Sequence, residues 1–284
     1  MRTSHIITSC FLQILKKCFS NINAKKRFYI ASRIGSIFYH YLGIRKKQAR
    51  TNIKKAFPHL EPNQIEKILK KTYLNFCHNF VEFVSFPYSF ENIQIEVKGD
   101  KILRSFLEQK KGIVFITGHF GAWEILGQSV ARNVPLFVGV AQKQTNRGAH
   151  DFFINQRELA GTKHILRGNS IKLMYEVLSN NGLLGLVSDQ DAKKKGVFVD
   201  FFGIPASTPK GAALFHINTK APLLLGVCFK ENFKKYHIHF KAIETKNKNI
   251  EEITQGYTKL LELYIKQYPD QYFWFHRRWK TKKT

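Results

Sequence analysis

The sequence predicts an α/β fold: a mixed central sheet flanked by helices, with a helical layer at the N-terminal side. Three observations lead there. Residues 28 to 86 keep the 3- and 4-residue apolar spacing of helices, the chain beyond about residue 91 breaks into short apolar runs separated by helical stretches, and one late run alternates strictly. No internal repeat, low-complexity stretch or Gly/Pro-rich linker divides the chain. The expected organisation is therefore a segment 1–23 followed by a single domain, 24–284, helical to about residue 90 and α/β from about 91.

In "SHIITSCFLQILKKCFSNI", residues 4 to 22, apolar pairs recur as Ile6/Ile7, Cys10/Phe11, Ile14/Leu15 and Cys18/Phe19. On a helix these pairs form a broad, slowly drifting apolar stripe. Lys16, Lys17 and "KKR" at 25 to 27 lie beside it or just beyond. Two readings are open: an amphipathic helix lying in a membrane interface, or a helix docked on the protein's own core. No stretch reaches the ~20 consecutive apolar residues of a spanning helix. Thr8, Ser9 and Gln13 interrupt the run and no small-residue cleavage site follows, which argues against a signal peptide.

Further along, Ile65, Ile68, Leu69, Thr72, Tyr73, Phe76, Phe80, Phe83 and Val84 follow helical spacing, with Pro62 suited to a first helical turn. After "FPYSF" the period changes. "IQIEV" at 93 to 97 alternates and "IVFIT" at 113 to 117 reads as a buried strand, as do "LLGLVS", "VFVDFF" and "PLLLGVCF" later on. Helical stretches such as "NSIKLMYEVLSN" at 169 to 180 and "TPKGAALFHINT" at 208 to 219 separate them. "YHIHFKA" at 236 to 242 predicts an exposed, antiparallel edge strand, its His237 and His239 sharing a solvent-facing side with Lys241 rather than holding a metal. Residues 251 to 268 complete the pattern with a helix that ends before Pro269.

With 44% hydrophobic residues the chain has ample material for a packed core, which excludes a disordered chain. Lys and Arg number 46 against 20 Asp and Glu, a net charge of +26, so its partners are expected to be anionic. Cys10, Cys18, Cys77 and Cys228 form no CxxC pair and have no supporting histidine at ligand spacing, which fits a reducing compartment and no structural metal.

The chemistry concentrates in "FITGHFGAWEIL" at 115 to 126. On one helix a five-residue separation turns through about 140°, so His119 and Glu124 can meet only if His119 lies in a loop after the strand. Gly118 and Gly121 allow such a turn, and "AWEILGQSV" can begin the helix that carries Glu124. The end of a strand before a helix N-terminus is a common place for an α/β active site. A carboxylate beside His119 would hold one tautomer and stabilise the imidazolium formed when the other nitrogen takes a proton from a hydroxyl. Taken alone, the pattern also fits a histidine that caps a helix.

The layout "GHFGAWE" resembles the His-x4-acid signature of glycerolipid-type acyltransferases, and more narrowly the lipid A late acyltransferase family, the lauroyl and myristoyl transferases of Gram-negative envelopes. Four further stretches carry the resemblance in the family's order: "RKKQARTNIKKAFP" at 45 to 58, "QRELAGTKHI" at 156 to 165, "SDQDAKKKGVFVDFFGIPASTPKGAALF" at 188 to 215 and "YPDQYFWFHRRWK" at 268 to 280. The resemblance implies a glycerolipid-acyltransferase-like fold and a catalytic dyad at His119 and Glu124, with His119 as general base. It also matches Arg157 and Asp189 to substrate-binding positions. Arg157 could steady an oxyanion or bind a phosphate; Asp189 could orient that arginine or simply form a turn at a strand end. The chain departs from the family at "VAQKQTNRGAHDFF", 140 to 153, where members often carry an aromatic-arginine-proline stretch, so the acceptor-facing surface can differ.

The activity implied is O-acyl transfer from an acyl carrier protein thioester to a hydroxyl of an anionic lipid A precursor, with no cofactor, metal or covalent acyl-enzyme. The implied place is the cytoplasmic face of the inner membrane, held at the interface rather than by a span. An acidic carrier, a phosphorylated glycolipid and an anionic leaflet each account for basic charge, and "HRRWK" with Trp274 and Trp279 reads as interface-seeking, the other reading being a well-packed C-terminal tail with solvated charges. Two alternatives stand beside this reading. One is acylation of another anionic lipid, a glycerophosphate or a glycosylated phospholipid. The other is a nucleic-acid-binding module, which the charge permits but the absence of an RRM signature, zinc finger or helix-turn-helix disfavours.

Overall fold

In the computed structural model, which describes residues 3–91, 93–168 and 171–283, five α-helices precede the first strand among the described residues. They are α1 (Thr3–Ser20), α2 (Ala24–Ile37), α3 (Lys46–Ala56), α4 (Pro62–Val84) and α5 (Tyr88–Glu91). Local chemistry sets their starts. Asn23 caps α2 by accepting a hydrogen bond from the Lys26 backbone N–H, and α4 opens with Pro62 behind Glu61, whose N–H donates to Gln64 Oε1 at 2.9 Å. The buried face of α4 holds Ile65, Leu69, Thr72 and Tyr73 as read from the sequence and continues through Cys77 and Val81, while Phe76 and Phe80 are half-buried.

The apolar stripe on α1 divides between the two readings given for it. Leu12 and Phe19 are buried in a cluster with Phe152 of a later helix, whereas Ile7, Phe11 and Ile14 are 63%, 58% and 60% exposed. Met1 and Arg2 lie outside the described residues. No helix of the described residues is long and apolar enough to cross a membrane.

Nine strands follow among the described residues: β1 (Gln94–Lys98), β2 (Ile113–Thr117), β3 (Phe137–Ala141), β4 (Lys163–Leu166), β5 (Leu183–Val187), β6 (Val197–Phe201), β7 (Ile204–Thr208), β8 (Leu223–Lys230) and β9 (Lys235–Ala242). Seven of them form a sheet in the order β1-β9-β8-β2-β5-β3-β4, parallel throughout except for β8 with β9; β6 and β7 make a separate hairpin. The helices between and after them are α6 (Asp100–Glu108), α7 (Trp123–Asn133), α8 (Arg147–Glu158), α9 (Ile171–Ser179), α10 (Gly211–Thr219) and α11 (Ile250–Gln267). Asn169 and Ser170 of the predicted stretch 169–180 lie outside the described residues. Both faces of the sheet are covered. Val114, Ile116 and Leu225 pack toward Leu261 and Ile265 of α11, while Phe115, Leu183 and Leu224 pack toward Ile125, Leu126 and Val130 of α7. Burial on both faces is why these strands read as continuous apolar runs.

Three expectations need correction. β9 is antiparallel, but β1 pairs along its other side and takes the edge, so His237 lies half-buried, stacked on Phe229 and close to Glu96 and Glu231 rather than facing solvent. The helix predicted from Thr208 starts at Gly211, because Thr208 ends β7 opposite Val197. The third correction concerns "HRRWK". Trp274, Arg278 and Trp279 are 1%, 2% and 5% exposed, so the segment packs inward instead of presenting an aromatic face to an interface. Trp274 Nε1 donates to Pro269 O at 2.6 Å, and the Asn52 amide of α3 donates to the carbonyls of Trp274 and His276 at 2.7 and 2.6 Å.

Candidate active site

Strand register brings the central pair together. β2 and β5 run parallel with Thr117 opposite Val187, and the ladder continues as Ser188 N–H donates to Thr117 O at 2.9 Å. His119 and Asp189 each stand two residues beyond that last pair, at the carboxyl ends of adjacent strands. His119 Nδ1 lies 2.8 Å from Asp189 Oδ1. Gly118 permits the approach, since a Cβ there would lie 3.2 Å from the Asp189 Cβ and 2.7 Å from Leu261 Cδ2.

The loop between β2 and α7 is tied on several sides. Gly121 adopts φ +56°, and a Cβ on it would meet the Cys228 carbonyl oxygen at 1.9 Å. Its N–H donates to Gln271 O at 2.7 Å, its carbonyl accepts from Asn79 Nδ2 at 2.5 Å, and Ala122 N–H donates to Cys228 O at 2.7 Å. Phe120 bridges Tyr272 in antiparallel fashion, and Phe273 N–H donates to His119 O at 2.9 Å. Thus α4, β8 and the segment after α11 jointly hold His119 in place.

Glu124 lies in the first turn of α7 and turns to Arg157 rather than to His119. Arg157 donates to both of its carboxylate oxygens, Nη2 to Oε1 at 2.6 Å and Nε to Oε2 at 2.9 Å, and the guanidinium lies 5.5 Å from the Phe83 ring. Helix ends favour this pairing, with a carboxylate at the N-terminus of α7 and a guanidinium in the last turn of α8. The structure therefore exchanges the partners suggested by spacing: Asp189, read as a candidate to orient Arg157, holds His119, and Glu124 holds Arg157. Asp189, Glu124 and Arg157 all remain close enough to act electrically on His119.

Burial by itself would lower the His119 pKa. The charge and hydrogen bond of Asp189, with the more distant charge of Glu124, outweigh it and hold the imidazole above its ordinary value. Asp189 shows the converse, since burial would raise its carboxyl but His119 holds it below the usual range. Glu124 is likewise raised by burial and lowered further by Arg157, for a net decrease. With Nδ1 engaged by Asp189, Nε2 is the nitrogen left to take a proton from a hydroxyl.

Several residues beside the site were not singled out in the sequence. Gln190 brings its amide nitrogen within 3.3 Å of His119 Nδ1 and 3.5 Å of Nε2. Trp123 packs edge-on to the imidazole with ring centroids 5.5 Å apart, and Phe273 lies tilted against it at 5.8 Å. Tyr272 and Arg278 are buried behind Asp189. All but Trp123 lie in "SDQD" or "YPDQYFWFHRRWK", so those stretches mark the neighbourhood even though nothing in their spacing assigns a role. No group of three or more His, Cys, Asp and Glu among the described residues could hold a metal ion.

A model described as bacterial lipid A biosynthesis acyltransferase matches residues 9–281. The lipid A biosynthesis palmitoleoyltransferase of Escherichia coli (strain K12) is 23% identical over 261 residues, 89% of this chain and 85% of the relative. The lauroyltransferase of the same strain is 24% identical over 258 residues, 88% of this chain and 83% of the relative. A phosphatidylinositol mannoside acyltransferase of Mycobacterium tuberculosis (strain ATCC 25618 / H37Rv) is 27% identical over 172 residues, 59% of this chain and 54% of the relative.

Proposed function

That the chain belongs to the bacterial lipid A biosynthesis acyltransferase family is the premise from which we propose its reaction: transfer of a fatty acyl group from an acyl carrier protein thioester to a hydroxyl of a lipid A precursor. His119 Nε2 removes the hydroxyl proton as the acceptor oxygen attacks the thioester carbonyl. The tetrahedral intermediate then expels the thiolate, which takes the proton back from the imidazolium. Asp189 holds the tautomer and offsets the imidazolium charge. The observation that carries this reading is the His119–Asp189 contact of 2.8 Å, which engages Nδ1 and leaves Nε2, with the Gln190 amide 3.5 Å away, as the nitrogen free of the carboxylate at the end of the sheet. Arg157, steadied by Glu124, serves as the cation for the acceptor phosphate or for the developing oxyanion. No cofactor, metal or covalent intermediate enters the scheme.

The same reading assigns the chain a glycerolipid-acyltransferase-type fold, with α1 to α5 as a helical layer on one catalytic domain. Its place is the cytoplasmic face of the inner membrane. The net charge of +26 suits an acidic carrier protein and an anionic leaflet, and the exposed Ile7, Phe11 and Ile14 of α1 supply an interfacial contact without a span. A second acceptor class, glycosylated phospholipids, is favoured by the similarity to phosphatidylinositol mannoside acyltransferases over the part of the chain they match.

Purified enzyme in detergent, supplied with a panel of acyl carrier protein thioesters and a Kdo-bearing lipid A precursor, should add one acyl chain per acceptor by mass spectrometry. His119→Gln should lose most of that transfer, since general-base catalysis supplies about 10²- to 10⁴-fold. Transfer to lysophosphatidic acid or a phosphatidylinositol mannoside with none to the precursor would reassign the acceptor. Full activity in His119→Gln would end the proposed mechanism.

A further inference from the structure

"HRRWK" takes no part in the chemistry above, yet it brings a buried cation to the rear of Asp189. Arg278 Nη1 donates to Ser207 O at 2.7 Å and Nη2 to Thr208 Oγ1 at 2.5 Å, while its Nε has no hydrogen-bond partner. Arg278 and Asp189 line one small internal cavity together with Thr117, Ser188, Tyr257 and Thr258. Tyr272, 4% exposed, contributes a second group. Burial and then the nearby Asp189 charge hold its phenol well above the ordinary value, and its backbone pairs with Phe120, the neighbour of His119.

Asp189 is thus shared between an imidazole in front and a phenol and a guanidinium behind. A carboxylate that holds His119 strongly has a cost for a general base, because it favours the imidazolium that cannot accept a proton. Donors on the far side draw negative charge away from the imidazole and oppose that effect. We propose that Tyr272 and Arg278 are positioning residues which, through Asp189, keep a working fraction of His119 neutral.

The charged and titratable groups around the pair fit this assignment. Asp189 and Glu124 favour a charged His119, whereas Arg157 and the nearby His276 oppose it. Glu124 and Arg157 largely offset each other in their own ion pair, which leaves Asp189 as the dominant charge acting on His119 against the effect of burial. Asp189, Asp191, Tyr257 and Tyr272 are the groups that face Arg278. The proposal rests on His119 acting as general base, and its test separates the two ideas.

The full chain in detergent is assayed for kcat/KM against pH as wild type, Tyr272→Phe, Arg278→Lys, Arg278→Met and His119→Gln. The rising limb should move to higher pH in Tyr272→Phe and in Arg278→Met, by about half a unit or more, and should return toward the wild-type position in Arg278→Lys. Tyr272→Phe removes one oxygen and leaves the backbone bridge, so it decides the question even if Arg278→Met does not fold. A limb that stays put in Tyr272→Phe, or moves to lower pH, overturns the proposal, whatever the loss of rate. Activity in His119→Gln comparable to wild type would instead overturn the general-base reading.

Discussion

Arg157 grips both carboxylate oxygens of Glu124, at 2.6 and 2.9 Å, across the facing ends of α8 and α7. Their side chains are 31% and 15% exposed, so either charge left alone would be poorly hydrated. Removing one partner from a buried pair costs about 3 to 5 kcal/mol, and this partly exposed pair should fall toward or below the lower figure. Glu124→Gln and Arg157→Met should each lower the thermal midpoint, and the double variant should lose less than the sum of the two. Strict additivity in that cycle would mean that the pair is not coupled.

The His119–Asp189 contact makes both rate and stability depend on pH. With His119 as the proposed base, which must be neutral to act, the rate should rise with pH through a His119 pKa held above its ordinary value. Asp189→Asn removes the charge responsible, so the limb should shift to lower pH as the maximal rate falls.

Stability follows the same two shifts with opposite signs. The raised His119 contributes fully below its unfolded value of about 6.5 and loses that contribution as pH rises through the folded pKa. The lowered Asp189 contributes above its unfolded value of about 3.9 and loses it as pH falls through the folded pKa. Urea titrations should therefore find the largest cost of Asp189→Asn between about pH 4 and about 6.5. A cost independent of pH would show that the contact is not ionic.

Helix α1 has a structural and an exposed side, and substitutions should separate them. Leu12→Ala or Phe19→Ala opens the cluster with Phe152 and should cost about 2 to 5 kcal/mol by chemical denaturation. Lys16 Nζ also reaches Gln156 Oε1 at 2.6 Å, beside Arg157, so deleting residues 1–23 should damage folding and turnover as well as membrane binding. Ile7→Asp with Ile14→Asp should leave the thermal midpoint nearly unchanged and reduce flotation with anionic vesicles. Unchanged flotation would remove α1 from the membrane contact.

Gly121→Ala should be more harmful than its size suggests. The added methyl would strike the Cys228 carbonyl in a backbone conformation already adverse for an L residue, a strain of about 1 to 3 kcal/mol before relaxation. Transfer should fall sharply while far-ultraviolet circular dichroism stays close to wild type. Full activity would show that the loop tolerates displacement of His119.

Local patterns made much of this legible. Helical spacing located α4 and α11, the run "IVFIT" coincides with β2, and the strict alternation of "YHIHFKA" identified an antiparallel strand. What spacing could not supply were relations set by distant chain. β1 covers the edge of β9 from some 140 residues upstream. The pairing of His119 with Asp189 follows from β2–β5 register, and that of Glu124 with Arg157 from the placement of α8; neither is encoded in a five-residue interval. β3, β4 and β7 escaped notice because they are only four or five residues long and include Gly139, Lys163 and Pro205, which interrupt a strand pattern.

The segment that fastens the catalytic loop also imposes an order on biosynthesis. Asn52 waits for the carbonyl of Trp274, 222 residues later, and the His119 carbonyl waits for the N–H of Phe273. A ribosome-bound chain that has exposed the whole sheet through β9 still lacks the backbone partners that immobilise the His119 loop. Closure of such distant contacts comes late in folding. Nascent chains stalled before Arg278 should therefore lack the transfer activity that released full-length chains have.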